Sequence, residues 1–148
     1  SMGRSPLMVG GDLPTSSSQT IELLSNPALR EVTARTINNR EIIRERIRDV
    51  WGDETTYRGD YIVWTAQSSV NESLTYAAIF WTGEERRAFK VPLQSLTGTF
   101  NDDSEWTLSD LWNERKVIKV GGSSIDCEVH VEIEPHGVVW FALRKVMD

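Results

Sequence analysis

Between Ile125 and Glu134 apolar and polar residues alternate without a break, with Ile125, Cys127, Val129, Val131 and Ile133 set against Asp126, Glu128, His130, Glu132 and Glu134. Successive side chains of an extended strand point to opposite faces, so this run predicts a strand with one face in a core and one in water. Such a strand needs partners, and the chain from about Thr36 onward supplies short β-rich runs separated by polar turns. Candidate strands run from Glu41 to Ile47, Tyr61 to Ala66, Leu74 to Trp81, Ala88 to Leu93, Trp106 to Trp112, Lys116 to Val120, Ile125 to Ile133 and Gly137 to Leu143. Gly83, Gly98, Asn101-Asp102-Asp103-Ser104, Gly121-Gly122-Ser123 and Pro135-His136-Gly137 supply turn chemistry between them. Strands at this spacing predict a mainly β fold, an antiparallel Greek-key β-sandwich.

The start of the chain has a different character. Pro6, Leu7, Met8 and Val9 form an unbroken apolar run within Gly3 to Leu13, the pattern of a strand buried on both faces. Ser16 and Gln19 have capping-box spacing, and Ile21, Leu23 and Leu24 supply an apolar stripe before Asn26-Pro27, read as the stop of the helix. One strand and one helix make a βα unit, which needs neighbours that the rest of the chain does not obviously offer. The sequence therefore divides into residues 1–35, a βα remnant opening on Ser1-Met2 that reads as an expression-tag scar, and residues 36–148, the sandwich. The charged segment Arg44 to Arg58, with Trp51-Gly52-Asp53 in its middle, fits either a strand and loop or a short helix.

With 148 residues the chain is long enough for one real core. No apolar run approaches the roughly 18 residues of a membrane span, so no membrane partner is expected. A formal charge of -6, with basic residues scattered or beside acids, argues against nucleic acid. Cys127 is the single cysteine, which excludes an internal disulfide and a zinc site built of cysteine pairs. No signal-peptide pattern opens the chain. Asn71-Glu72-Ser73 fits the N-glycosylation acceptor pattern, making Asn71 a candidate glycan site in a eukaryotic secretory pathway.

Chemistry is hard to assemble from these residues. Asp102 and Asp103 fall in a turn, Asp53 and Glu54 in a polar loop, and Glu128, Glu132 and Glu134 on the wet face of a strand, so no facing carboxylate pair emerges. Cys127 and His130 are three apart on a strand and point to opposite faces, which leaves Cys127 as a small core residue. His136 sits at a turn, and two histidines without a further ligand make no metal site. No phosphate loop or dinucleotide fingerprint occurs, and no cofactor is expected. No catalytic residue is assigned. Six tryptophans, at 51, 64, 81, 106, 112 and 140, are the one compositional excess. Trp64, Trp81, Trp112 and Trp140 lie in apolar strand contexts and are expected in the core. Trp51 and Trp106 have polar flanks and are the candidate platforms for stacking on a sugar, or for burial against a neighbouring domain.

The segments Gly3 to Pro14 and Thr20 to Pro27 closely resemble the last βα unit of the catalytic barrel in α-galactosidase-like (melibiase-type) glycoside hydrolases of family 27, clan D. The resemblance continues in order through Asn38-Asn39-Arg40-Glu41, Asp60 to Ala66, Leu74 to Trp81, Ser109-Asp110-Leu111-Trp112 with Arg115-Lys116, and Glu134 to Val138. It implies a (β/α)8 barrel followed by an antiparallel sandwich, with nucleophile and acid/base aspartates on earlier barrel strands that this sequence does not contain. Thr33-Ala34-Arg35-Thr36 stands where animal and plant members carry an asparagine-glutamine-aspartate-proline-leucine segment, and Arg44 to Arg58 is longer than the family pattern. The expectation is a non-catalytic C-terminal portion of a secreted, retaining α-glycosidase, inactive alone, with the parent's barrel as its partner and a galactose-containing oligosaccharide as a further one. A homodimer through the exposed N-terminal βα unit is a further expectation, from its unpaired edge. The rival reading is a free-standing carbohydrate-binding sandwich using Trp51 or Trp106.

Overall fold

The computed structural model describes residues 13–98, 104–112, 117–120 and 127–146. The strand expected from Gly3 therefore lies outside the described residues up to position 12, as do the turns at 101–103 and 121–123 and the first two residues of the alternating run. A single 3-10 turn, Leu13–Thr15, leads into helix α1 (Ser18–Ser25), which abuts α2 (Pro27–Ala34). Eight strands follow: β1 (Thr36–Trp51), β2 (Glu54–Ser68), β3 (Leu74–Trp81), β4 (Arg87–Pro92), β5 (Trp106–Asp110), β6 (Val117–Val120), β7 (Glu128–Ile133) and β8 (Val138–Lys145), with a short helix α3 (Leu93–Thr97) after β4.

Two antiparallel sheets make the sandwich, one of six strands in the order β1-β2-β3-β8-β5-β6 and one of two strands, β4-β7. The chain leaves the large sheet after β3, returns for β5 and β6, leaves again for β7, and inserts β8 between β3 and β5. β7 is the alternating strand, and it reads exposed, buried, exposed, buried through Glu128–Ile133 as the sequence predicts. Val129, Val131 and Ile133 point at the large sheet, and Cys127 packs beside them.

β3 is buried along almost its whole length because both faces of the large sheet are covered. Ala77, Ile79 and Trp81 face inward to the β4-β7 layer with Phe141 and Leu143 of β8. Leu74, Tyr76 and Ala78 face outward, where they meet Val32 of α2, Ala66 and Trp140. The molecule is thus three layers deep over β3 and β8: helix, large sheet, small sheet.

The N-terminal helices differ from expectation at both ends of α1. Ser17, not Ser16, is the N-cap, its Oγ accepting from the Thr20 amide at 3.1 Å. Asn26-Pro27 does end α1, but it also starts α2: Asn26 Oδ1 accepts from the Ala28 and Leu29 amides at 2.8 and 3.4 Å, and Pro27 occupies the first helical turn, where its missing N–H costs nothing. The Asn26 side chain also donates to the Leu111 carbonyl at 3.0 Å, tying the helix junction to the end of β5.

Arg44 to Arg58 is not a helix: it is strand on both sides of a short turn, part of one long hairpin. β1 and β2 pair from Thr36↔Ser68 to Trp51↔Glu54, around a turn at Gly52, which has φ +61°. The pairing of β2 with β3 begins only at Tyr61↔Trp81, so the residues beyond form a two-stranded ribbon projecting past the sheet.

Candidate functional site

Three irregularities interrupt the β1–β2 pairing, and the one after Ile47 shapes the surface at the ribbon's base. Between Ile47↔Gly59 and Arg48↔Tyr57 the extra residue is Arg58, and a bulge of this kind re-aims the side chain that has no partner opposite it. Arg58 Nε accordingly donates to Asp49 Oδ2 at 2.6 Å. Next to it, Gly59 at φ +147° and Gly83 lie against each other and against the Trp81 indole. A Cβ on Gly59 would sit 2.6 Å from the Gly83 nitrogen, and one on Gly83 would fall within the Trp81 ring, so both positions require glycine.

Trp81 is 2 % exposed, donates from Nε1 to the Glu85 carbonyl at 2.6 Å and lies 5.7 Å from the Arg87 guanidinium. The β3–β4 loop is fastened on its other side as well, where His136 donates from its amide to the Gly83 carbonyl at 3.2 Å and approaches Glu84 Oε1 with Nε2 at 3.1 Å. Ribbon and loop enclose a cleft of about 330 Å³ lined by Asp49, Tyr57, Arg58, Trp81 and the run Glu84 to Arg87. Arg86 leans away to Glu132 and Glu134 at 2.7 and 3.2 Å.

A second groove of about 340 Å³ follows the bulge at Asn38 and Asn39, where Asn38 has φ +54° and donates to Gln67 Oε1 at 2.7 Å. Farther along the same hairpin, Glu41 accepts from Arg44 at 2.6 and 2.7 Å and from Trp64 Nε1 at 3.1 Å. The Arg44 guanidinium holds the Glu41 carboxyl below its ordinary range and is itself pushed up by it. A general acid needs the opposite shift.

Of the residues singled out from sequence, Trp51 is at the ribbon tip and 79 % exposed, next to exposed Val50. Trp106 is a correction: despite polar neighbours it is 5 % exposed, because β5 pairs with both β8 and β6 and turns its Trp106 and Leu108 face into the inner core. Its ring is not available on the surface for stacking. Trp112, expected in the core, is instead 41 % exposed and rests tilted on Trp140 with centroids 5.2 Å apart, while Trp64 is half-buried. Asn71 is half-buried in the β2–β3 turn, its Oδ1 accepting from the Ser73 amide and hydroxyl at 3.0 and 2.7 Å. Among the described residues no group of three or more His, Cys, Asp or Glu side chains is arranged to hold a metal ion. The cleft residues escape sequence reading because Glu84 to Arg87 looks like an ordinary solvated turn; the adjacent Arg58-Gly59 and Gly83 are the signal that two backbones meet there.

The architecture defines an antiparallel β-sandwich domain with a helix across its outer face. The chain belongs to the alpha galactosidase C-terminal beta sandwich domain family, whose model matches residues 58–143. No curated protein matches it by sequence. Among solved structures it is similar to a family 27 β-L-arabinopyranosidase from Geobacillus stearothermophilus, at 26 % identity and a TM-score of 0.72 over 97 % of this chain and 27 % of that one. It shares its fold with an α-galactosidase from Saccharomyces cerevisiae (16 % identity, TM-score 0.76, 98 % of this chain and 41 % of that one). The same holds for α-galactosidase I from Mortierella vinacea (19 % identity, TM-score 0.64, 95 % and 32 %). The chain therefore spans between about a quarter and two-fifths of the length of these enzymes.

Proposed function

We propose that this chain is the non-catalytic C-terminal sandwich of a retaining α-glycosidase of α-galactosidase type, and that it acts by packing against a catalytic barrel encoded upstream. The observation that carries this reading is the family match over residues 58–143 together with the fraction of each related enzyme that the chain spans. Its own carboxylates support the same division of labour. Glu41 and Asp49 are committed to Arg44 and Arg58, and Glu132 and Glu134 to Arg86, each in an ion pair on open surface.

Helix α1 supplies the surface for the barrel. It has no buried residue, and Ile21 and Leu23, which project from opposite sides of the helix, are 40 % and 49 % exposed. Apolar side chains left open in this way stabilise an interface once a neighbouring element covers them.

Hydrolysis of a chromogenic α-galactoside by this chain, measured beside a longer chain extended upstream through the barrel, tests the reading. Activity is expected in the longer chain alone. Turnover by the 148-residue chain itself would overturn it.

A further inference from the structure

We propose that the cleft at the base of the β1–β2 ribbon is a binding site for a neutral pyranose sugar, formed by Asp49, Tyr57 and Arg58 over the Trp81 floor. Its size, about 330 Å³, falls at the small end of the range for ligand pockets. Its lining residues include three acids, Asp49, Glu84 and Glu85, and three arginines, Arg58, Arg86 and Arg87, with the Arg86 guanidinium paired outside the cleft with Glu132 and Glu134. A cation or an anion entering such a wall meets as much repulsion as attraction. A neutral polyol meets neither, and it gains charge-assisted hydrogen bonds from both kinds of group.

The Asp49–Arg58 pair gives this preference a geometry. A carboxylate only accepts and a guanidinium only donates. The pair spends one carboxylate oxygen and the Arg58 Nε on each other, at 2.6 Å, which leaves Asp49 Oδ1 and the Arg58 terminal nitrogens without a hydrogen bond to each other. Two adjacent sugar hydroxyls match that arrangement, one donating to Asp49 and its neighbour accepting from Arg58. Tyr57, 54 % exposed, supplies ring surface for the C–H face of the sugar.

Preorganisation separates this cleft from an ordinary charged surface. The bulge fixes where Arg58 points, and the Gly59, Gly83 and Trp81 contacts fix the ribbon against the loop. The Trp81–Glu85 and His136–Gly83 hydrogen bonds hold the loop from two sides. Little ordering is left for the ligand to impose, which favours binding of a small, weakly held molecule.

The ligand class of the cleft does not depend on the function proposed above; only the galactoside among the probes rests on it. NMR titration of this chain with the methyl glycosides of galactose, glucose, mannose and arabinose, and with galacturonate as an anionic comparator, tests the site. At least one neutral glycoside is expected to give saturable shifts at the Trp81 indole N–H and the Arg58 and Glu85 amides in the millimolar range. Asp49→Ala and Tyr57→Ala, both on the exposed ribbon, are expected to weaken binding roughly tenfold or more, and Trp51→Ala at the tip to leave it unchanged. Absence of saturable shifts with every neutral glycoside, galacturonate binding as tightly as galactoside, or loss of binding in Trp51→Ala with retention in Asp49→Ala would each overturn the proposal. Hydrolysis by this chain would sink the accessory-domain reading and leave the cleft standing.

Discussion

Tyr61 stacks flat on Phe89 across the two sheets, with ring centroids 4.4 Å apart, and is 4 % exposed. Its hydroxyl is buried without a hydrogen-bond partner among the described residues. Burial, with a smaller contribution from the Glu45 carboxylate, pushes its pKa up to about 12. Tyr76 on the opposite face is raised to about 12 by burial and then by Glu31. In the unfolded chain a tyrosine titrates near pH 10. Above that pH the unfolded state gives up a proton that the folded state keeps, so the stability is fully present below about pH 10 and is lost as pH rises towards 12. Denaturant midpoints measured at about pH 9 and about pH 11.5 are therefore expected to fall steeply in the wild-type chain. Tyr61→Phe removes a hydroxyl that makes no bond, so it is expected within about 1 kcal/mol of wild type at neutral pH and to show a shallower alkaline loss. An unchanged alkaline loss in Tyr61→Phe would show that Tyr61 titrates normally. Residue-level facts of this kind were only partly legible beforehand. Trp81 and Trp140 were readable as core because their strands are apolar on both sides, whereas Trp106 sits between Glu105 and Thr107, and only the β5–β8 pairing decides which way it faces.

Among the elements, β3 and β7 were the most legible, and for opposite reasons. β3 matches its sequence boundaries, Leu74–Trp81, because a run covered on both faces carries no charged residue and buries even Thr75. β7 shows the alternation of a strand covered on one face, its described residues starting at Glu128. The β1–β2 ribbon was illegible from Arg44 to Arg58 since it projects beyond the sheet, where neither face has a core to impose a period. α2 was missed for a different reason: Asn-Pro stops one helix and caps the next with the same residues. Asn26 serves three groups at once, the amides of Ala28 and Leu29 and the carbonyl of Leu111. Asn26→Ala is therefore expected to cost about 2 kcal/mol, the upper end for loss of a cap, whereas Asn26→Asp keeps the acceptor, loses only the bond to Leu111 and is expected to recover part of that. Equilibrium urea unfolding of the two variants distinguishes a capping role from a contact role: equal losses would mean the Leu111 bond, not the cap, carries the effect.

At the scale of the molecule the six-stranded sheet has a core on each face, and the two are unequal. The inner core draws buried residues from β2, β3, β4, β5, β7, β8 and α3, whereas in the outer one Val32 is the single fully buried residue that α2 contributes among the described residues. Removal of the inner core takes the large sheet with it, since Ile79 and Leu143 sit on the strands that every other layer leans on. Removal of the outer contact frees one short helix and leaves the sandwich closed. Local opening has its own free energy, and amide hydrogen exchange resolves it element by element. Leu143→Ala is expected to cost about 3 kcal/mol and to lower protection in α2, β3 and β8 alike, because all three then exchange through global unfolding. Val32→Ala removes two buried methyl groups, about 2 kcal/mol, and is expected to lower protection over Arg30 to Ala34 while β3 and β8 keep theirs. Equal loss of protection in all three elements for Val32→Ala would mean that helix and sandwich form one cooperative unit. In that case α2 belongs to the sandwich as firmly as any strand, and a displacement of α1 is passed through Asn26 and Val32 into the sheet.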